Sequence, residues 1–334
     1  MPRWRLAPRP EDVPRWRLAP RPRSTAVALG LVLGLATDTF VADPRRAHPV
    51  AGFGRAAALL ERGTWRPSRR AGVLHVVALV VPLTCAGAWL DRRLRRHPWA
   101  RGGLTAVTSW AVLGSASLAR EASALAVELD RTDLPAARLR LPALCGRDPQ
   151  LLDAAGLARA AVESVAENTA DAAVAPLVWG ALAGTAGLVG YRAVNTLDAM
   201  VGHRSERYLA FGWAAARLDD LLTLLPARLT AVLAVAFAPA VGGSSARAWR
   251  VWRRDAGAHP SPNAGPCEAA FAGALGNRLG GPTVYPYGCS QRPWLGEGGD
   301  PGPADVRRAV RLSRLVTLGA VGLTTGARLA ARPR

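Results

Sequence analysis

The chain has 334 residues, half of them hydrophobic, and a formal net charge of +19 at pH 7. All 43 basic residues are arginine. This excludes a Walker lysine, a Schiff-base lysine and a lysine phosphate clamp, so a phosphate must meet arginine, backbone N–H groups or a metal.

In chain order, PRWRLAPRP occurs at residues 2–10 and again at 14–22. Two copies are too few for a solenoid, and residues 1–23 are expected to be a disordered Arg/Pro-rich tail. Apolar runs follow at 25–41, 73–90, 104–127, 172–189, 225–241 and 316–329. Several approach the roughly 20 residues needed to cross a bilayer. Asp38, His75, Pro82 and Glu121 interrupt them, which fits a packed polytopic bundle better than a simple anchor; the alternative is a soluble protein with buried core helices. The expected fold class is all-α, a polytopic integral membrane helical bundle spanning residues 24–330, with polar loops at 130–162 and 242–305. The four cysteines form no CxxC pair and no Cys/His ligand spacing.

Polar groups next to lipid are costly, and they concentrate between Glu163 and Asp220. Glu163, Glu167 and Asp171 stand four apart, on one face of a helix, with Asn168 beside them. Three such carboxylates need cations or protons between them. A magnesium–nucleotide complex would serve, because Mg²⁺ takes a few carboxylates plus phosphate oxygens; pairing with arginines is the structural alternative. Arg192, Asn195 and Asp198 repeat at three-residue spacing, with His203 and Arg204 just past Gly202. Arg217 and Asp220 are spaced as an intrahelical ion pair, and Asp219 points about 100° away. Two rigid turns add candidates: His48 before Pro49, and HPSPNAG, which offers His259, Ser261 and Asn263 as ligand contacts.

Topology poses a problem. A full crossing by residues 172–189 would put 191–204 on the opposite side from 163–171. Pro176, Gly184, Gly187 and Gly190 permit a broken or re-entrant helix that lines a polar cavity instead.

Taken together, DPRRAHPVAGFG from Asp43, GRD from Gly146, ESVAENTADAAVAPL from Glu163, YRAVNTLDAMVGHR from Tyr191, FGWAAARLDDLLTLLPARLT from Phe211 and HPSPNAG from His259 resemble the adenosylcobinamide-phosphate synthase family of cobalamin biosynthesis. The resemblance covers roughly residues 29–329. It implies a multi-pass cell-membrane enzyme, active site toward the cytoplasm, that joins a propionate carboxyl of adenosylcobyric acid to 1-amino-2-propanol or its phosphate, using ATP and Mg²⁺. Membrane lipids and other cobalamin-pathway enzymes are the further partners it suggests; no nucleic acid is expected. On this reading Glu163, Glu167 and Asp171 hold Mg²⁺, while Glu167, Asp198 and Asp219 are catalytic. His48, Asn168, Arg192, Asn195, His203, Arg204, Arg217, His259, Ser261 and Asn263 contact substrate or phosphate. The competing reading is a multi-pass transporter of a small anionic or corrin-related solute.

Overall fold

Leucine, valine and alanine fill the apolar runs while glycine and proline gather between them. The computed structural model describes residues 22–41, 48–203, 205–285 and 288–331, and these are helical apart from one small hairpin. Residues 1–21 of the tail, Asp43 and Arg204 lie outside the described residues, while Pro22 and Arg23 open the first helix. The elements are α1 (Pro22–Val41), α2 (Pro49–Thr64), α3 (Arg69–Arg93), α4 (Pro98–Val112), α5 (Ser115–Asp130), α6 (Leu134–Arg140), α7 (Ala154–Thr169), α8 (Ala175–Val201), α9 (Trp213–Phe237), α10 (Ser245–Asp255), α11 (Ala264–Leu275), the antiparallel pair β1 (Leu279–Tyr285) and β2 (Gly288–Leu295), and α12 (Pro303–Ala330).

Four helical stretches are long and apolar enough to cross a membrane: Ser24–Val41, Arg69–Arg96, Ala154–Val201 and Trp213–Val241. The all-α membrane-protein class therefore holds. Residues 104–127, read above as one run, are broken at Leu113 and Gly114 into α4 and α5. The Gly114 N–H leaves the helix and bonds to Ala172 O at 3.0 Å. Buried Asp38 then caps the first turn of α5, its Oδ2 accepting from Ser115 Oγ at 2.5 Å and Ala116 N at 3.1 Å. Such a cap satisfies an otherwise orphaned helix N–H and contributes about 1 kcal/mol. The polar stretch 242–305 carries α10, α11 and the β1–β2 hairpin.

The largest departure from regular geometry is at Gly184. A π-helical turn, Ala170–Val174, joins α7 to α8, and α8 is broken at Gly184, where φ is 64° and ψ −142°. That backbone region is open essentially to glycine alone. The chain reverses there: a Cβ on Gly187 would lie 2.1 Å from Trp179 O, although eight residues of straight helix would separate the two by about 12 Å. Asp91, at the end of α3, closes the turn. Its Oδ2 accepts from Thr185 N at 2.9 Å, its Oδ1 accepts from Thr185 Oγ1 at 3.2 Å, and Arg101 of α4 lies 3.3 Å from it.

α7 and α8 thus form a helical hairpin. Asp171 and Asp198 stand almost equidistant from its apex along the chain, which brings them to one level. The broken helix anticipated from the glycines is present, and it returns residues 191–201 to the side of 163–171.

Candidate functional site

The π-helical turn has a cavity on each side. π-turns widen a helix locally and are frequent at functional sites. The first cavity, of about 70 Å³, is lined by Glu167, Asp171, Asp198, Asp219, Asp220, Ser261, Asn263 and Cys267, among others. The second, a cleft of about 360 Å³, is lined by residues including Val50, Ser117, Glu121, Asn168, Ala172, Arg192, Asn195 and Thr196. Successive helical residues point about 100° apart, so Glu167 and Asp171 face the acid cavity while Asn168 and Ala172 face the cleft.

A hydrogen-bonded chain connects the two. Arg192 Nη1 donates to Asn195 Oδ1 at 3.3 Å, and Asn195 Nδ2 donates to Asp219 Oδ1 at 3.3 Å. Asn195 therefore orients a carboxylate of the acid cavity from the wall of the cleft.

HPSPNAG closes the acid cavity. Asn263 accepts from Arg228 Nη1 at 2.9 Å and donates to Asp220 O at 2.7 Å, which pins the loop to α9. Ser261 Oγ accepts from Asn263 N at 3.3 Å and Ala264 N at 3.1 Å, fixing the entry to α11.

Behind this wall lies a buried ion-pair network. Glu163 takes Arg147 and, at 3.1 Å, Arg292 Nη1 on Oε2, while Oε1 accepts Gly280 N–H at 2.7 Å. Arg292 Nη2 also donates to Glu268 Oε1 at 2.9 Å and to His259 Nε2. On the ring's other side Ser261 N donates to Nδ1 at 3.0 Å, and Ser261 O lies 3.2 Å from the same atom. Burial, reinforced by the Arg292 charge, lowers His259 to about 4. Burial pushes Glu268 up to about 8, the Glu163 charge adding to burial and Arg292 opposing it. Glu268 Oε2 is buried without a hydrogen-bond partner among the described residues, as suits a carboxyl held partly as the acid.

Of the residues singled out in the sequence, Glu167, Asp171, Asp198, Asp219, Ser261 and Asn263 meet in the acid cavity, and Asn168, Arg192 and Asn195 in the cleft. Glu163 instead enters the ion-pair network with Arg147 and Arg292, and His259 stands behind Ser261. His48 caps α2, its Nδ1 accepting from Val50 N at 3.3 Å at the edge of the cleft. His203 packs edge-on against Tyr208, with ring centroids 4.9 Å apart. Arg217 is exposed, 3.5 Å from Asp220.

Sequence reasoning missed Glu268, Arg292 and the structural role of Arg147. A lone acid in the apolar run AGPCEAAFAGAL was a usable signal for Glu268. Arg292 had none, since its partners come from distant elements.

The acid cavity offers only hard oxygen donors beside Cys267, the chemistry a Mg²⁺ ion prefers. Among the described residues no three acidic, cysteine or histidine side chains converge as a closed cage. Mg²⁺ is commonly held by one or two carboxylates plus phosphate oxygens and water, and Glu167 and Asp171 fit that pattern.

The family model described as CobD/Cbib protein matches residues 31–313. The chain belongs to the CobD/Cbib family. The matched span contains both cavities and the ion-pair network. Cobalamin biosynthesis protein CobD of Mycobacterium tuberculosis is 56% identical over 296 residues, covering 89% of this chain and 94% of that protein. The proteins of the same name from Rhodobacter capsulatus and Stutzerimonas stutzeri are 43% identical over 302 residues and 44% identical over 291 residues, covering 88% and 86% of this chain and 93% of each relative. No solved structure matches the chain significantly.

Proposed function

We propose that this CobD/Cbib member forms an amide between a propionate carboxyl of adenosylcobyric acid and 1-amino-2-propanol or its phosphate. The observation that carries the reading is the pairing of an acid cavity with an arginine- and asparagine-lined cleft through Asn195. A carboxylate is a poor acyl donor and an ammonium is no nucleophile, so the reaction needs an activated carboxyl oxygen and a nearby base.

Glu167 and Asp171 would hold Mg²⁺. When bound, Mg²⁺–ATP would supply the phosphoryl group that turns the carboxyl oxygen into a leaving group and the charge that steadies it. Asp219, oriented by Asn195, and Asp198 on the facing helix are placed to accept the proton that the amine loses on attack. Arg192 and Asn168 would hold anionic and amide groups in the cleft, whose 360 Å³ matches a small-ligand pocket and suits the amine or one corrin side arm rather than the whole ring. Use of ATP places the cavities toward the cytoplasm.

Purified protein incubated with adenosylcobyric acid, Mg²⁺–ATP and each amine in turn should yield a product whose mass is that of the two substrates less one water. Uptake of solute into sealed vesicles with no covalent product would replace this reading with transport.

A further inference from the structure

We propose that Arg292 is a positioning residue for the acid cavity, holding Ser261 and Asn263 in place through His259 while lying outside the cavity wall. This rests on the reading of that cavity as the reaction site.

The connection is continuous. Arg292, on β2, sends Nη1 to Glu163 of α7 at 3.1 Å and Nη2 to Glu268 of α11 at 2.9 Å, and Nη2 also reaches His259 Nε2. His259 Nδ1 lies 3.0 Å from Ser261 N and 3.2 Å from Ser261 O. Ser261 Oγ takes the N–H groups of Asn263 and Ala264, and Ser261, Asn263 and Ala264 all line the acid cavity. The planar guanidinium holds acceptors from α7, α11 and the loop at His259 in one fixed fork; a lysine ammonium, a point charge on a flexible stem, would not hold the same geometry. The β1–β2 hairpin, far from the site in sequence, thereby sets the loop that closes it.

The geometry also fixes which state of His259 the site uses. The groups facing its ring are Arg292 from β2, Glu268 from α11 and, farther off, Glu163 from α7 with Arg147 behind it. With Arg292 in place the ring stays neutral, and it accepts on Nε2. Without Arg292 the ring loses both the donor on Nε2 and the opposing charge, Nε2 is left facing Glu268, and Ser261 loses the fixed ring it bonds to.

The test uses full-length Arg292→Lys and Arg292→Gln proteins, with Arg292→Lys serving if the glutamine variant fails to fold. In ¹⁵N-histidine spectra, with His259 assigned by its loss in His259→Gln, the wild-type ring should stay neutral down to about pH 5, whereas in Arg292→Gln, which removes the opposing charge, it should titrate at higher pH, and in Arg292→Lys, which keeps the charge, it should shift less. In the amide-forming assay both variants should lose at least tenfold in kcat, and Arg292→Gln should gain an acid limb in the pH–rate profile that adding His259→Gln removes. An unmoved His259 titration in Arg292→Gln, or wild-type kcat in Arg292→Lys, or a uniform loss of rate that tracks thermal stability with an unchanged pH profile, would overturn the role. Failure of the wild type to form amide would count against the reaction, and the spectra would still decide the Arg292–His259 relationship.

Discussion

Asn195 donates through Nδ2 to Asp219 Oδ1 at 3.3 Å, while its own Oδ1 accepts from Arg192 at the same distance. One amide therefore faces a cation in the cleft and a carboxylate in the acid cavity, and its two ends cannot be exchanged without opposing like partners. Asn195→Asp should place a second carboxylate against Asp219 and lower kcat for amide formation about a hundredfold, equivalent to about 2.7 kcal/mol. Asn195→Ala, which removes the donor without adding charge, should cost less. Steady-state rates of the two variants check the order.

The hairpin apex makes a stability prediction. Gly184→Ala would set a Cβ 2.5 Å from Asp91 Oδ2, at a φ of 64°. Strain of this kind costs about 1–3 kcal/mol before the displaced carboxylate is counted. The purified variant should melt at a lower temperature than wild type in the same detergent. Unchanged melting would mean that the reversal does not depend on this residue.

The same reversal predicts sidedness. In a background lacking the native cysteines, single cysteines at Asn168 and His203 should both react with an impermeant thiol reagent from one face of sealed vesicles. Labelling strictly from opposite faces would require residues 172–189 to cross once, which the contact of Gly187 with Trp179 contradicts.

Much of this was legible in the sequence, for definite reasons. Glu167, Asp171, Asp198 and Asp219 could be picked out because charge in an apolar helix is rare, and a break was readable from Gly184 and its neighbours. Glu163 shared the same spacing as Glu167 and Asp171 yet went elsewhere, since its fate depends on Arg147 and Arg292, which reach it from a loop and from β2. Helical periodicity specifies a face and is silent about which partner covers it. The reading of residues 104–127 as one run failed because the Gly114 N–H is satisfied by Ala172 and the next turn by Asp38, long-range contacts that no local window contains.

Glu268 should make stability depend on pH in a defined direction. Its folded value is raised to about 8 from 4.5, so the folded state binds more protons than the unfolded state between those limits. The stability it contributes is present below about pH 4.5 and is lost as pH rises through about 8. Glu268→Gln, which keeps the neutral shape, should flatten the fall of melting temperature between pH 5 and pH 8. His259 acts oppositely: lowered to about 4 from 6.5, it contributes stability above about 6.5 that is lost as pH falls through 4. His259→Gln should accordingly lessen the loss on the acid side.

The central claim is that the acid cavity beside the π-helical turn is where the amide forms. It is tested most directly by the rate of product formation, followed by mass spectrometry, in Glu167→Gln protein purified from membranes at wild-type abundance. Loss of product with unchanged melting temperature is the predicted result. Wild-type turnover in that variant would contradict the account and move the chemistry out of the cavity.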